Sequence, residues 1–81
     1  MHINVTFSSL SRILAGVEQE ILVVPEGTTV DRLFRILGQK HQNLPQDIKG
    51  TYFLVNGHNC THDLVLAEGD QVLIFQLLGG G

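Results

Sequence analysis

Three groups of residues could do chemistry. The chain finishes Leu77-Leu78-Gly79-Gly80-Gly81, so its last reactive group is a carboxylate on an unhindered glycine. Residues without a Cβ enter conformations and narrow passages closed to other residues, which gives such a carboxylate a reach that a folded domain lacks. A carboxylate is a poor acyl donor and must be activated before a nucleophile can attack it. The plain alternative is a frayed terminus. His58, Cys60 and His62, with Asp63 behind them, have the period-two spacing that puts three zinc-type ligands on one side of a strand. Directly after Asn56-Gly57, however, polar residues are simply solvated, and three ligands on one short strand give poor tetrahedral geometry. No metal site is expected, and Cys60 reads as a half-buried thiol rather than a nucleophile. Asp31 reads as a helix-start charge, Arg32, Arg35 and Lys40 as a solvated helix face, and His2 and His41 carry no signal.

The elements that must position these groups follow from pattern. Ile3, Val5 and Phe7 alternate with Asn4 and Thr6, the signature of a half-buried strand. Leu10, Ile13 and Leu14 predict a short helical turn on the surface, ended by Gly16. Glu20–Val24 predicts a second strand, stopped by Pro25 and turned at Glu26-Gly27. Thr28 is expected to cap the main helix, with Asp31 three residues later near the positive end of its dipole. Val30, Leu33, Phe34 and Leu37 then form one apolar stripe, and the helix is expected to weaken at Gly38 and stop before Pro45. Tyr52–Val55 is a third strand, and Asn56-Gly57 is the strongest short hairpin signal, leading to a short fourth strand near Asn59–His62. Leu64 and Leu66 read as core plugs, Glu68-Gly69-Asp70 as a turn, and Gln71–Leu77 as the last strand. One helix after an N-terminal hairpin, with further strands behind it, implies an α+β domain of two layers. The first and last strands can lie parallel at the centre of a mixed sheet of four to five strands, the β-grasp arrangement. Residues 1–78 would form the domain and 79–81 its tail.

Within the last strand, Val72 and Ile74 share one face and Leu73, Phe75 and Leu77 the other. Whichever set faces the helix, large apolar side chains point outward. Such a patch is read as a partner-binding surface centred on Phe75, with Leu73, Leu77 and Leu78 beside it; the alternative is that Leu10 and Leu14 cover it.

Composition bounds the rest. Eighty-one residues make one domain with an economical core, and an apolar fraction of 43% argues against disorder. A net charge of -3 with no Lys/Arg cluster makes nucleic acid a poor partner. Lone Cys60 cannot form an internal disulfide, Met1–Ser9 lacks the pattern of a secretory signal, and no apolar run approaches the roughly 18 residues that span a bilayer. A cytoplasmic protein without membrane attachment is expected. Neither GxxxxGK[ST] nor GxGxxG occurs, so no nucleotide or other cofactor is expected on this chain.

The sequence resembles the MoaD/ThiS family of ubiquitin-like sulfur carriers over nearly its whole length. Ile3-Asn4-Val5-Thr6-Phe7 with Leu10-Ser11-Arg12-Ile13-Leu14-Ala15-Gly16 looks like the opening strand and loop of the small subunit of molybdopterin synthase. Val24-Pro25-Glu26-Gly27-Thr28-Thr29-Val30 carries the second match. Val55-Asn56-Gly57, Leu66-Ala67-Glu68-Gly69-Asp70-Gln71-Val72 and the terminal glycine pair carry the third, and their spacing to the end fits without a gap. Thiamine-pathway carriers usually shorten the segment that here spans Ser8–Glu20, which favours the MoaD-like branch; Leu77-Leu78-Gly79 departs from the usual proline-rich or small approach to the glycines. The resemblance implies that a ubiquitin-activating-type enzyme, using ATP and Mg, adenylates Gly81. A persulfide from a cysteine desulfurase or rhodanese-type donor would then yield a thiocarboxylate there. Gly79 and Gly80 would thread this tail into the large, catalytic subunit of molybdopterin synthase or another sulfur acceptor, and the chain itself would be a carrier rather than an enzyme. A thiamine-type carrier, a protein modifier joined to lysines through Gly81, and an adaptor with an inert tail remain alternatives.

Overall fold

The computed structural model describes residues 1–76. Seven elements follow one another: β1 (His2–Phe7), α1 (Leu10–Ala15), β2 (Gln19–Val23), α2 (Val30–Lys40), β3 (Thr51–Val55), β4 (His58–Asn59) and β5 (Gln71–Gln76). The strands form one mixed sheet in the order β2-β1-β5-β3-β4, in which only β1 and β5 run parallel. This is the β-grasp, with the last strand at the sheet's centre beside the first.

The period-two pattern of β1 decides which face is covered. Ile3 pairs with Leu22, Val5 with Val72 and Phe7 with Ile74, and all six are buried. The stripe Val30, Leu33, Phe34 and Leu37 of α2 joins them in one core with Phe53, Val55 and Leu66. At about 1.5–3 kcal/mol for each large apolar side chain removed from water, the helix stripe alone contributes roughly 6–12 kcal/mol before chain entropy is charged against it. Phe34 and Phe53 meet edge to face with centroids 6.0 Å apart, which joins α2 to β3.

Several local expectations are corrected, each for a tertiary reason. The cap of α2 is Thr29, whose hydroxyl accepts from Arg32 N at 3.2 Å; the Thr28 hydroxyl donates instead to Pro25 O at 2.7 Å and closes the preceding turn. The main helix stops at Lys40, before Pro45 as expected, and continues through Gly38. Its missing Cβ makes room for Gln46, whose Oε1 would lie 2.9 Å from a Cβ there and whose Nε2 donates to Gly38 O. The fourth strand stops at Asn59, because the carbonyls of His62 and Leu64 accept from Asp31 N and Val30 N at 2.8 and 3.0 Å, satisfying the open start of α2. That duty leaves the Leu64 side chain 38% exposed, so Leu66 is the plug. In α1, Ile13 is 72% exposed, whereas Ser11 is buried and Leu14 packs against the core; Gly16, at φ 77°, ends the helix as expected. The expected boundary at residue 78 lies outside the described residues.

Candidate functional site

The site is built around the end of β5. Gln76 is paired with Thr51 of β3 and donates from Nε2 to Thr51 Oγ1 at 3.0 Å. On the other flank Ser8 N donates to Ile74 O at 2.9 Å, continuing the ladder from β1. The strand is therefore held on the β1 side as far as Ile74 and on the β3 side as far as Gln76, its last described residue. Leu77, Leu78, Gly79, Gly80 and Gly81, which the sequence reading assigned to docking, threading and activation, lie outside the described residues.

Alternation along β5 turns Val72, Ile74 and Gln76 inward and leaves Leu73 and Phe75 half-buried on the face opposite α2. On that open face Leu73 lies beside Thr6 of β1 and Leu54 of β3. Phe75 stacks on Tyr52 of β3, with ring centroids 5.5 Å apart and planes 20° from parallel. Sequence reading found Leu73 and Phe75 but missed Tyr52, which is 46% exposed, and Leu54. The same alternation could have supplied them, since Phe53 and Val55 are core residues and their neighbours must face outward. None of the outward residues on the five strands is Asp, Glu, Lys or Arg. Aromatic enrichment with charge depletion is the composition of protein interface cores.

Charges are gathered instead at the sheet's ends. Toward the Phe7 end of β1, Glu20 of β2 binds Lys40 Nζ at 2.7 Å and His41 Nε2 at 2.6 Å, while the His41 ring meets Phe7 edge to face at 5.5 Å. Burial pulls the Glu20 carboxyl upward, but the bonds from Lys40 and His41 outweigh it and hold the group below its ordinary range. This cluster fastens the C-terminal end of α2, where a cation is favoured, onto β2. Lys40 is thus ion-paired rather than merely solvated, and His41 has a role that its sequence context did not announce. Asp31 sits in the first turn of α2 as expected and pairs with Arg35 Nε at 3.2 Å.

At the opposite end, the residues of the third family-like segment act as stitching. Asp70 accepts from Asn56 Nδ2 at 2.9 Å and from Ala67 N at 2.8 Å, and Gly69, at φ 82°, donates to His2 O at 2.8 Å. The Glu68 carboxyl is held below its usual range by the His2 backbone N–H and then by the His2 ring.

The histidine and cysteine candidates are not brought together. His58 lies on β4, Cys60 Sγ faces Phe53 O at 3.9 Å with its thiol pushed up by burial, and His62 turns its ring against Phe53. Among the described residues, no group of three or more His, Cys, Asp or Glu is arranged to hold a metal ion, and no helix is long and apolar enough to cross a membrane.

A central last strand, a helix over one face and an uncharged apolar patch on the other define a ubiquitin-like β-grasp protein. The chain belongs to the ThiS family, whose model matches residues 5–81. Among solved structures, a candidate molybdopterin converting factor subunit 1 from Pyrococcus furiosus is 27% identical, with a TM-score of 0.85 over 94% of this chain and 97% of that one. Urm1 from Trypanosoma brucei is also 27% identical, with a TM-score of 0.75 over 99% and 95%. SAMP1 from Haloferax volcanii, a small archaeal modifier protein, shares the fold over the whole of both chains with a TM-score of 0.87 and 19% identity. No curated protein matches the sequence.

Proposed function

We propose that this protein is a sulfur carrier that receives sulfur on Gly81 as a thiocarboxylate and delivers it to a metabolite-modifying partner. The observation that carries the reading is that the ThiS family match runs through Gly81, behind a central strand fastened by β1 as far as Ile74 and by β3 as far as Gln76. An adenylating enzyme with ATP and Mg would activate the terminal carboxylate, releasing pyrophosphate. A persulfide would then displace AMP to give an acyl disulfide, and a second thiol would attack the donor's sulfur, forming a disulfide with the donor and releasing the thiocarboxylate. The chain supplies the acyl group and a docking face; catalysis belongs to its partners. The likeness to a molybdopterin converting factor subunit supports a molybdopterin synthase large subunit as acceptor, with the synthesis of molybdenum cofactor in the cytoplasm as the pathway. Phe75, Leu73, Leu77 and Leu78, joined now by Tyr52 and Leu54, would seat the domain while Gly79 and Gly80 thread the tail.

A modifier protein of the same fold motivates a second reading, in which activated Gly81 is joined to lysines of other proteins. Intact mass separates the two. Incubated with the adenylating enzyme, ATP and a sulfur donor, a carrier gains about 16 Da at Gly81 as sulfur replaces oxygen. Recovery of Gly81 only in isopeptide bonds to target lysines would establish the modifier reading instead.

A further inference from the structure

Of the sheet's two outer strands, β4 has only two residues, whereas β2 has five and is bonded on one side alone, to β1. Which of its backbone groups are spent there follows from the register. Val24 N donates to Met1 O and Phe7 N donates to Glu18 O, both at 2.8 Å, so the even-numbered residues 18 to 24 point their N–H and C=O groups at β1. Asn4, opposite Ile21, sends its own N–H the other way, to Asp70 O at 2.9 Å. Bonded and unbonded positions alternate in an antiparallel pair. Gln19, Ile21 and Val23 therefore direct their N–H and C=O groups away from the sheet, with no strand beside them among the described residues. The devices that usually blunt such an edge are missing, since residues 19–23 hold no lysine, no proline and no bulge. Their one charge, Glu20, is held on the helix side by Lys40 and His41. On the other side Ile21 is 65% and Val23 74% exposed, next to the unpaired groups. Charge lies at the margins: Glu18 and Glu26 are exposed beyond either end, and no lysine or arginine occurs between Arg12 and Arg32.

From this edge we infer a second docking site, at which β2 takes an extended segment of a partner protein as an added strand, apolar at alternate positions and basic at both ends. Main-chain bonds to Gln19, Ile21 and Val23 attach the segment, and alternation sets its apolar side chains beside Ile21 and Val23. Five strand residues span about 17 Å, so the lysines or arginines that flank a segment of this length fall next to Glu18 and Glu26. A second copy of the chain fits the edge less well. Antiparallel pairing of β2 with itself about Ile21 sets Glu18 opposite Val24 of the other copy and diagonally beside its Glu26, and it joins two chains of net charge -3. An edge of five residues also falls short of the about 1,200 Å² that a stable dimer buries. Because β1 lies between β2 and β5, the site is separate from Leu73 and Phe75 and does not depend on what Gly81 carries.

The probe is a synthetic peptide of three valines alternating with threonines, with a pair of lysines at each end, added to the isotope-labelled full chain at low salt. Amide hydrogen exchange followed by NMR should slow by about tenfold or more for Gln19, Ile21 and Val23 at saturating peptide. Glu20 and Leu22, already bonded to β1, should change little. Binding should weaken as salt is raised to about 0.5 M, which screens exposed charges over a few ångströms. N-methylation of the valine amides, which removes the donors aimed at the edge, should abolish it. Glu18→Lys combined with Glu26→Lys changes only exposed side chains and should reverse the preference, so that the same peptide ending in glutamates binds about fivefold or more tightly than the lysine one. Unchanged exchange at the three amides, contacts confined to Tyr52, Leu73 and Phe75, undiminished binding of the N-methylated peptide, or equal binding of the lysine and glutamate peptides would each overturn the inference. So would slowing of the same amides in the free chain as its own concentration rises, which would assign the edge to a second copy.

Discussion

Truncating Phe75 to alanine separates a docking role from a packing role. The substitution removes the stack on Tyr52, worth about 0.5–1.5 kcal/mol, and roughly half of the 1.5–3 kcal/mol that full burial of a phenylalanine provides, since the ring is only half-buried. The sum, about 1.3–3 kcal/mol, lowers the melting temperature of a domain this size by roughly 5–24 °C and leaves it folded at room temperature if it has an ordinary stability of 5 kcal/mol or more. An aromatic side chain that anchors an interface costs about 2–4 kcal/mol of transition-state binding when truncated, which is roughly 30- to 1000-fold in kcat/KM for charging of Gly81. Thermal melting by circular dichroism gives the first quantity, and intact-mass kinetics with the adenylating enzyme at 20 °C gives the second. Ile13→Ala, on the exposed side of α1, serves as the control and should leave charging within about twofold, as a surface change of a few tenths of a kcal/mol would. Should Phe75→Ala melt lower as calculated yet charge and discharge sulfur at the parent rate, the open face would not be the docking surface.

Glu20→Gln removes the carboxylate that joins Lys40 and His41. Because one partner is largely buried and the other half exposed, the cost should lie between surface and buried values, about 1–2 kcal/mol at pH 7 by urea denaturation. The folded-state pKa of Glu20 lies below its ordinary 4.5, so its contribution is complete above that value and is lost as pH falls through the folded pKa. The parent and the variant should therefore converge in stability below about pH 4.5, and a gap that widened there would contradict the assignment. Gly57→Ala forces a Cβ into φ 80° at the β3–β4 turn, where space is open but the conformation is not. A loss of about 1–2 kcal/mol is expected in the same denaturation, without a change in sulfur charging.

The backbone frame was legible because short-range pattern and tertiary demand agree there. Ile3, Val5 and Phe7 alternate and are buried, and Asn56-Gly57 adopts the two positive φ values that its residue types invite. Where long-range bonds decide, local reading slipped by a residue or more. Thr28 and Thr29 are equally good caps on paper, and only the Pro25 carbonyl, reached by one hydroxyl, selects the other as the cap. Residues 60–62 have strand-like spacing, but the start of α2 needs their neighbourhood's carbonyls more than β3 needs a longer partner. The Glu20–His41 contact joins a strand to a helix end 21 residues away, and nothing in either local context signals it. On the open face Leu73 and Phe75 were readable from the period of β5, while the Tyr52 stack required knowing that β3 lies beside β5 and in which register.

That neighbour relation also constrains how the tail can be used. The strand that carries it comes last in the chain yet lies at the centre of the sheet, paired with the first strand on one side and with β3 on the other. The pairing with β3 closes only residues 56–70, whereas the pairing with β1 closes the longest loop in the sheet, an entropic cost that must be met before that contact forms. Tyr52 and Leu54 therefore come beside Phe75 and Leu73 with β3, while Thr6 comes beside Leu73 only when the long loop closes. A partner whose contact spans Thr6 as well as Leu73 and Phe75 would therefore require the sheet to be complete. Disturbing the β1–β5 ladder from its buried side, as Val5→Ala does, should then reduce Gly81 charging in proportion to the folded fraction measured in the same buffer. A loss of charging that exceeded the unfolded fraction would mean that the ladder also acts directly in recognition.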